Sequence, residues 1–311
     1  MDFSLTDDQE LLQETAHKLL ERECPPALVR AHIEDPAAYA PLWRHLSEYT
    51  PLGVGPAADL CLFLEETGYA AAPGPFLATT IFAALTDEVD ATGTVALVAD
   101  ATHPFVLELD RVERIAVVTP GPNLAVLDAR GVPARFISTV DYSRRLFQLD
   151  GVPDGGAPLA PDRLARWRDR AHASLAAEMV GTARRIFEMA LAYAKERKQF
   201  DVPIGSFQAI QHKLADMSLA LERATAAVHY AAMTIDGDDP QRSRACHVAK
   251  AAAGEAARRI LKDGIQIHGG IGYTWEHDLH LYLRRATADE YLLGSTGWHL
   301  DRIAGSLIDA G

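Results

Sequence analysis

The sequence predicts a mainly α-helical protein with a small β segment in its middle. Apolar residues recur at helical spacing up to about residue 88, and short alternating or apolar runs between Gly, Pro, Asn and Asp occupy about 93–152. From Pro161 onward helical periodicity returns with few breakers. This order divides the 311 residues into an N-terminal helical part (1–88), a β part (89–157) and a C-terminal part (158–311). The last reads as an antiparallel four-helix bundle.

Taken in order, Thr6 and Gln9 form a capping-box pattern ahead of the apolar stripe Leu11, Leu12, Ala16, Leu19 and Leu20. A second helix is expected over 37–49, stopping before Pro51, and a third from Asp59 through Phe63 to Gly68. Pro73 and Pro75 then break the chain ahead of a helix from Phe76 to Leu85. Strands are expected at 94–98, 114–118, 124–127 and 146–149, where apolar and β-branched residues sit between turn residues. After Pro161 the periodicity fits helices of roughly 25 to 35 residues.

With 48% hydrophobic residues the chain can bury a substantial core. No apolar run approaches the ~20 residues of a membrane span, and the acidic N-terminus has no basic, apolar leader, so a cytoplasmic location away from membranes is expected. Cys24, Cys61 and Cys246 are odd in number and lack metal-type spacing, as free thiols in a reducing compartment would. A net charge of −13 argues against nucleic acid as a partner and leaves any phosphate contacts to local groups.

Two segments carry chemistry. Gln266-Ile267-His268-Gly269-Gly270-Ile271-Gly272-Tyr273-Thr274 follows a long helix, and its glycines expose bare backbone N–H groups to a ligand such as a dinucleotide pyrophosphate. A ligand-free helix cap and turn fits the same glycines. Upstream, Arg197-Lys198-Gln199-Phe200-Asp201-Val202-Pro203-Ile204-Gly205-Ser206-Phe207-Gln208 closes one helix and opens another. The planar fork of Arg197 suits a phosphate, Phe200 can cover one face of the site, and a cation at a helix C-terminus is the alternative for the arginine.

With both segments in this order, the chain resembles the acyl-CoA dehydrogenases, flavoproteins that desaturate acyl-CoA thioesters. In that family an Arg-x-x-Phe-Gly segment, a nearby Gln and a Gln-x-x-Gly-Gly segment contact the ADP half of FAD across a subunit interface. The matching residues are Arg197, Phe200, Gln208, Gln266, Gly269 and Gly270, with Asp201 where glycine is usual. Gln211 to Met217, Leu283-Arg284-Arg285-Ala286, Gly294-Ser295 and the opening Asp2 to Glu10 are also similar. The resemblance is fullest over 165–305, less so over 1–80, and weakest between.

The chain departs from the family in two places. The β part lacks the Thr-Glu-x-x-Ala-Gly-Ser-type and Trp-Ile-Thr/Ser segments that contact flavin ring and thioester, and it contains no tryptophan; Asp141-Tyr142-Ser143-Arg144-Arg145 resembles only the family's later strand region. The two positions of the family's catalytic glutamate fall on Leu293 and Ala171, so no catalytic residue is assigned. Asp289, Glu290 and Glu178 lie close enough to be considered as substitute bases, since a buried carboxylate gains basicity. The alternative pairs Asp289 and Glu290 with Arg284 or Arg285 at helical spacing. His268 reads as a ribose or phosphate contact or as a structural histidine, and His277 and His280 lack a third ligand, so no metal site is expected.

The resemblance therefore implies the shorter, non-catalytic subunit of an actinobacterial α2β2 acyl-CoA dehydrogenase of steroid catabolism. Such a subunit supplies ADP-side FAD contacts to a longer catalytic partner that oxidises an acyl-CoA substrate. Two alternatives stay open: a self-sufficient homo-oligomer using Glu290 or Asp289 as base, and a non-enzymatic scaffold.

Overall fold

Residues 4–98, 104–152 and 155–308 are described by a computed structural model. Asp2 and Phe3 of the family-like opening lie outside them. Helix α1 (Asp7–Glu23) starts at the expected capping box: the Gln9 N–H donates to Thr6 Oγ1 at 3.3 Å and the Thr6 N–H to Gln9 Oε1 at 3.2 Å. Helix α2 (Pro26–Glu34) was not anticipated; Pro26 sits at its first position, where a missing N–H costs nothing. The helix expected over 37–49 is α3 (Ala40–Leu46) followed by a 3-10 segment (Ser47–Gly53) with Pro51 inside it. A short 3-10 segment tolerates a proline that an α-helix interior would not. Helices α4 (Ala57–Tyr69) and α5 (Phe76–Thr86) lie where expected.

The β part contains β1 (Gly93–Leu97), β2 (Phe105–Leu107), β3 (Arg114–Thr119), β4 (Asn123–Asp128), β5 (Ala134–Ile137), β6 (Leu146–Leu149) and β7 (Ala157–Pro158). The sheets run β1-β3-β4-β7, with β1 and β3 parallel, and β2-β6-β5. Strands β2, β5 and β7 were not expected: β2 and β7 have 3 and 2 residues, and β5 is exposed at Arg135 and Phe136, so none offers a buried apolar run of four residues. Strand β3 explains its own apolar run: Ile115 and Val117 face the core between the sheets, while Ala116 and Val118 face α5 and the next helix through Phe82, Leu85 and Trp167.

The C-terminal part opens with α6 (Pro161–Glu196), then a hairpin of β8 (Lys198–Gln199) and β9 (Val202–Pro203), then α7 (Gln208–Asp236) and α8 (Arg242–His268). These three helices have 36, 29 and 27 residues, close to the expected lengths. The fourth position is split into α9 (Leu279–Asp289) and α10 (Thr296–Ile308), of 11 and 13 residues, which corrects the expectation of long helices throughout. The break falls at Leu293 and Gly294, both with positive φ, a conformation that ends a right-handed helix.

One core joins α1 to α4 with the bundle. Helices α4 and α6 approach at reciprocal glycines. A Cβ on Gly68 would lie 1.9 Å from the Glu178 carbonyl oxygen, and one on Gly181 would lie 1.8 Å from that of Glu65. Thr182 Oγ1 fills the same crossing by donating to the Gly68 carbonyl at 3.0 Å.

Candidate functional site

The six residues matched to ADP contacts sit at one end of the bundle. Helices α6 and α8 finish side by side there: the Tyr193 and His268 rings stack with centroids 4.7 Å apart. The Arg197 N–H donates to the Tyr193 carbonyl at 2.8 Å, so α6 ends on the turn that the stack holds. The Arg197 side chain is exposed and has no ion pair among the described residues. Phe200, 88% exposed, and Asp201 form the two-residue turn of the β8–β9 hairpin with φ of 54° and 64°. Two left-handed residues in a row explain the family's usual glycine at 201, and aspartate tolerates the conformation better than most side chains.

Gln208 opens α7 and Gln266 lies in the last turn of α8, both exposed. Gly269 closes α8 with φ 64°, and a Cβ on Gly269 or Gly270 would meet nothing within 4 Å, so the backbone there faces open space. His268 is held from inside: its Nδ1–H donates to the Gly264 carbonyl at 2.8 Å, and burial keeps its pKa below the ordinary value. This is the structural role of the two considered for it. A free guanidinium, two amides and unobstructed glycine backbone, all exposed at one end of the bundle, fit an anionic group presented from outside the chain, and an FAD pyrophosphate is such a group.

The family's base positions lie elsewhere. A cavity of about 630 Å³ opens between α5, the β part and the end of α9, with walls including Leu77, Ile81, Phe105 and Trp167. Leu293 lines it, and fully buried Ala171 belongs to the apolar cluster that Trp167 and Leu293 share. Both positions thus converge on one apolar region and bring no carboxylate to it. The charged residues lining the cavity among the described residues are Asp141 and Arg144, and none of the six ADP-matched residues reaches it.

The substitute carboxylates are tied into the protein. Arg285 Nε donates to Asp141 Oδ2 at 2.6 Å and its Nη1 to Glu178 Oε1 at 2.9 Å. Arg144 Nη1 donates to Asp289 Oδ1 at 2.5 Å, and its Nη2 pairs with Glu178. The Glu290 carboxylate accepts from the Thr296 backbone N–H at 3.1 Å and from Thr296 Oγ1 at 2.9 Å. The expected pairing of Asp289 and Glu290 with Arg284 or Arg285 is therefore corrected. Arg285 is fully buried with its donors taken by Asp141, Glu178 and Ser143, while Arg284 donates to the Val140 carbonyl and lies 4.5 Å over the Tyr142 ring. The sequence marked both arginines and the Asp141 to Arg145 stretch without linking them, because the link crosses from the β part to α9. Asp289 and Glu290 are absent from the cavity wall among the described residues. Burial pushes the pKa of Asp289 up to about 7 against the pull of Arg144, and Glu178 adds to the rise.

Residues 165–308 match the family model for the acyl-CoA dehydrogenase C-terminal domain. Acyl-CoA dehydrogenase IpdE2 of Mycolicibacterium smegmatis is 33% identical over 320 residues, covering 96% of this chain and 98% of that protein. The chain belongs to the acyl-CoA dehydrogenase family. IpdE2 of Mycobacterium tuberculosis is likewise 33% identical, covering 93% of this family member and 94% of its own length. Among solved structures, a variant of the Tcur3481-Tcur3483 steroid ACAD superposes with a TM-score of 0.84 at 25% identity, covering 98% of each chain. The ChsE4-ChsE5 complex from Mycobacterium tuberculosis shares the fold with a TM-score of 0.84 at 22% identity, covering 99% of each chain. FAD is the cofactor of this oxidoreductase family. Among the described residues no helix is long and apolar enough to cross a membrane.

Proposed function

We propose that this chain is the non-catalytic subunit of a hetero-oligomeric, FAD-dependent acyl-CoA dehydrogenase in steroid or related lipid catabolism. The observation that carries the reading is the contrast between two surfaces. The unpaired Arg197 and the open Gly269–Gly270 backbone face outward at one end of the bundle, while Leu293 and Ala171 leave the family's base positions apolar. Arg197 would hold the pyrophosphate, with Gln266, Gln208, Phe200 and the two glycines completing the ADP side of a site whose flavin ring and glutamate belong to a longer partner. The division at 1–88, 89–157 and 158–311 then separates a helical part, a reduced β part and the part that meets the cofactor. Names such as steroid ACAD and ChsE4-ChsE5 complex among the structural relatives support a steroid-derived acyl group and a second subunit.

Co-expression with a longer family member that carries the glutamate is expected to give a yellow complex with about one FAD per pair of unlike chains. Arg197→Ala is expected to weaken FAD retention at least tenfold while the chains stay associated. A colourless complex with dehydrogenase activity, or unchanged FAD retention in Arg197→Ala, would overturn the reading. The second reading is a homo-oligomer using Glu290 or Asp289 as its own base; against it, Arg144 holds Asp289 and neither carboxylate lines the cavity. That reading requires the chain expressed alone to bind FAD and to lose acyl-CoA oxidation in Asp289→Asn.

A further inference from the structure

Three histidines on three different helices bring their rings together beside the α9–α10 break. His172 lies on α6, His247 on α8 and His299 on α10, and one ring nitrogen from each lies within 4.8 Å of the other two. Their ring centroids are 4.8 to 5.2 Å apart, and Trp298 closes one side at 4.9 Å from His299. His247 Nδ1 and His299 Nδ1 are 2.8 Å apart. We infer that His172, His247 and His299 form a binding site for one late first-row divalent metal ion, with zinc as the biological candidate. This inference stands independently of the proposed function.

Three features support a ligand set over a packing cluster. First, His299 is oriented as metal ligands usually are: its Nε2–H donates to the Leu293 carbonyl at 3.1 Å, which leaves the Nδ1 lone pair directed at the cluster. Second, His172 is only 7% exposed, yet its Nδ1 has no hydrogen-bond partner among the described residues. An unpaired buried ring nitrogen costs free energy that a bound ion would recover. Third, the ligands rise from separate rigid helices, and half-buried His247 gives the cluster an edge toward solvent.

The nitrogens are less evenly spaced than in a formed site. Tetrahedral zinc with Zn–N of about 2.0–2.1 Å requires N···N separations of about 3.3 Å, so the 2.8 Å pair must open slightly and His172 must swing inward. Proton balance is simple. His299 Nδ1 is already bare, and the proton that His247 shares from Nδ1 moves to its own Nε2, so no net charge is lost. Three neutral imidazoles leave a fourth position for water. Lys250 works against affinity, being a buried ammonium next to this region, but its Nζ is engaged by the Glu290 and Gly294 carbonyls at 3.3 and 3.1 Å and the Glu290 carboxylate lies close by. Such a site favours borderline nitrogen-seeking ions over calcium or magnesium. A bound ion would fasten α10 to α6 and α8 at the Leu293–Gly294 turn.

Titration of the untagged, metal-free full chain with cobalt(II) tests this. One equivalent is expected to bind, with the visible ligand-field band of a low-coordinate nitrogen site, and one equivalent of zinc is expected to displace it and raise Tm. His299→Ala and His247→Gln are each expected to lose the band and at least a hundredfold in zinc affinity, while His212→Ala, at an exposed position outside the cluster, keeps both. Circular dichroism identifies any variant that fails to fold. Absence of a stoichiometric band in the wild-type chain, or an unchanged band in folded His299→Ala or His247→Gln, would overturn the assignment.

Discussion

Arg285 shows how one buried side chain can organise a junction. Together with Arg144 it faces three carboxylates, Asp141, Glu178 and Asp289, all of them buried. Two cations against three anions leave one negative charge in excess, and the high pKa of Asp289 shows where a proton can relieve it. Removing a cation strands buried charge, whereas neutralising the surplus anion does not. Arg285→Leu is therefore expected to cost about 3–5 kcal/mol and Asp289→Asn to stay within about 1 kcal/mol, both read from urea midpoints at neutral pH. Equal losses would mean that the charges act independently. The sequence displays every member of this network, with Asp289 among the candidate bases. Its real partner lies 145 positions away, beyond the reach of any helical-spacing rule.

At the scale of elements, the α4–α6 crossing depends on two missing side chains. In an open helix interior Gly181→Ala would stabilise by about 1 kcal/mol through backbone entropy. Here the new Cβ would lie 1.8 Å from the Glu65 carbonyl oxygen, an overlap with main chain that rotamer changes cannot relieve. Helix separation must grow, and overpacking costs about 1–3 kcal/mol and more where, as here, the overlap is with main chain, so the sign of the effect is decisive. Thermal unfolding of Gly181→Ala is expected to show a clearly lowered Tm; a raised one would mean that the helices slide apart freely. Helices with caps and long periodic stripes were legible in advance, as α1 and the α6–α8 set demonstrate. Helix α2, the 3-10 segment after α3 and the shortest strands were not, because they have too few residues for a period and are held by what packs on them.

For the whole molecule, buried histidines couple stability to pH. Burial lowers the pKa of His32 and of His280 to about 4 and that of His299 to about 3, with His172, His247, His268 and His277 shifted the same way. Their unfolded values are near 6.5, so between about pH 6.5 and 4 the unfolded chain binds more protons and stability falls as pH falls. His229 runs the other way: its hydrogen bond to Glu65 raises its pKa, and its contribution fades as pH rises above that value. The carboxyls of Asp289, Glu108 and Asp169, whose pKa values burial raises, act on the same side as His229, so seven groups outweigh four. In metal-free buffer, Tm is expected to decline steadily from pH 7 to pH 4.5, each histidine contributing a slope of up to about 1.4 kcal/mol per pH unit. His32→Gln, which can still accept the hydrogen bond from Arg111, should flatten that slope; a pH-independent Tm would show that these histidines stay solvated. By itself the sequence determined the helical, β, helical order, the family and the two segments matched to ADP contacts, because each is written in contiguous residues with local periodicity or motif. Only the tertiary structure decided that those segments share one exposed end, that Leu293 and Ala171 meet in one apolar region, that Asp289 belongs to Arg144, and that His172, His247 and His299 converge. Such contacts come from packing between distant elements, and spacing along the chain carries no record of which helix faces will meet.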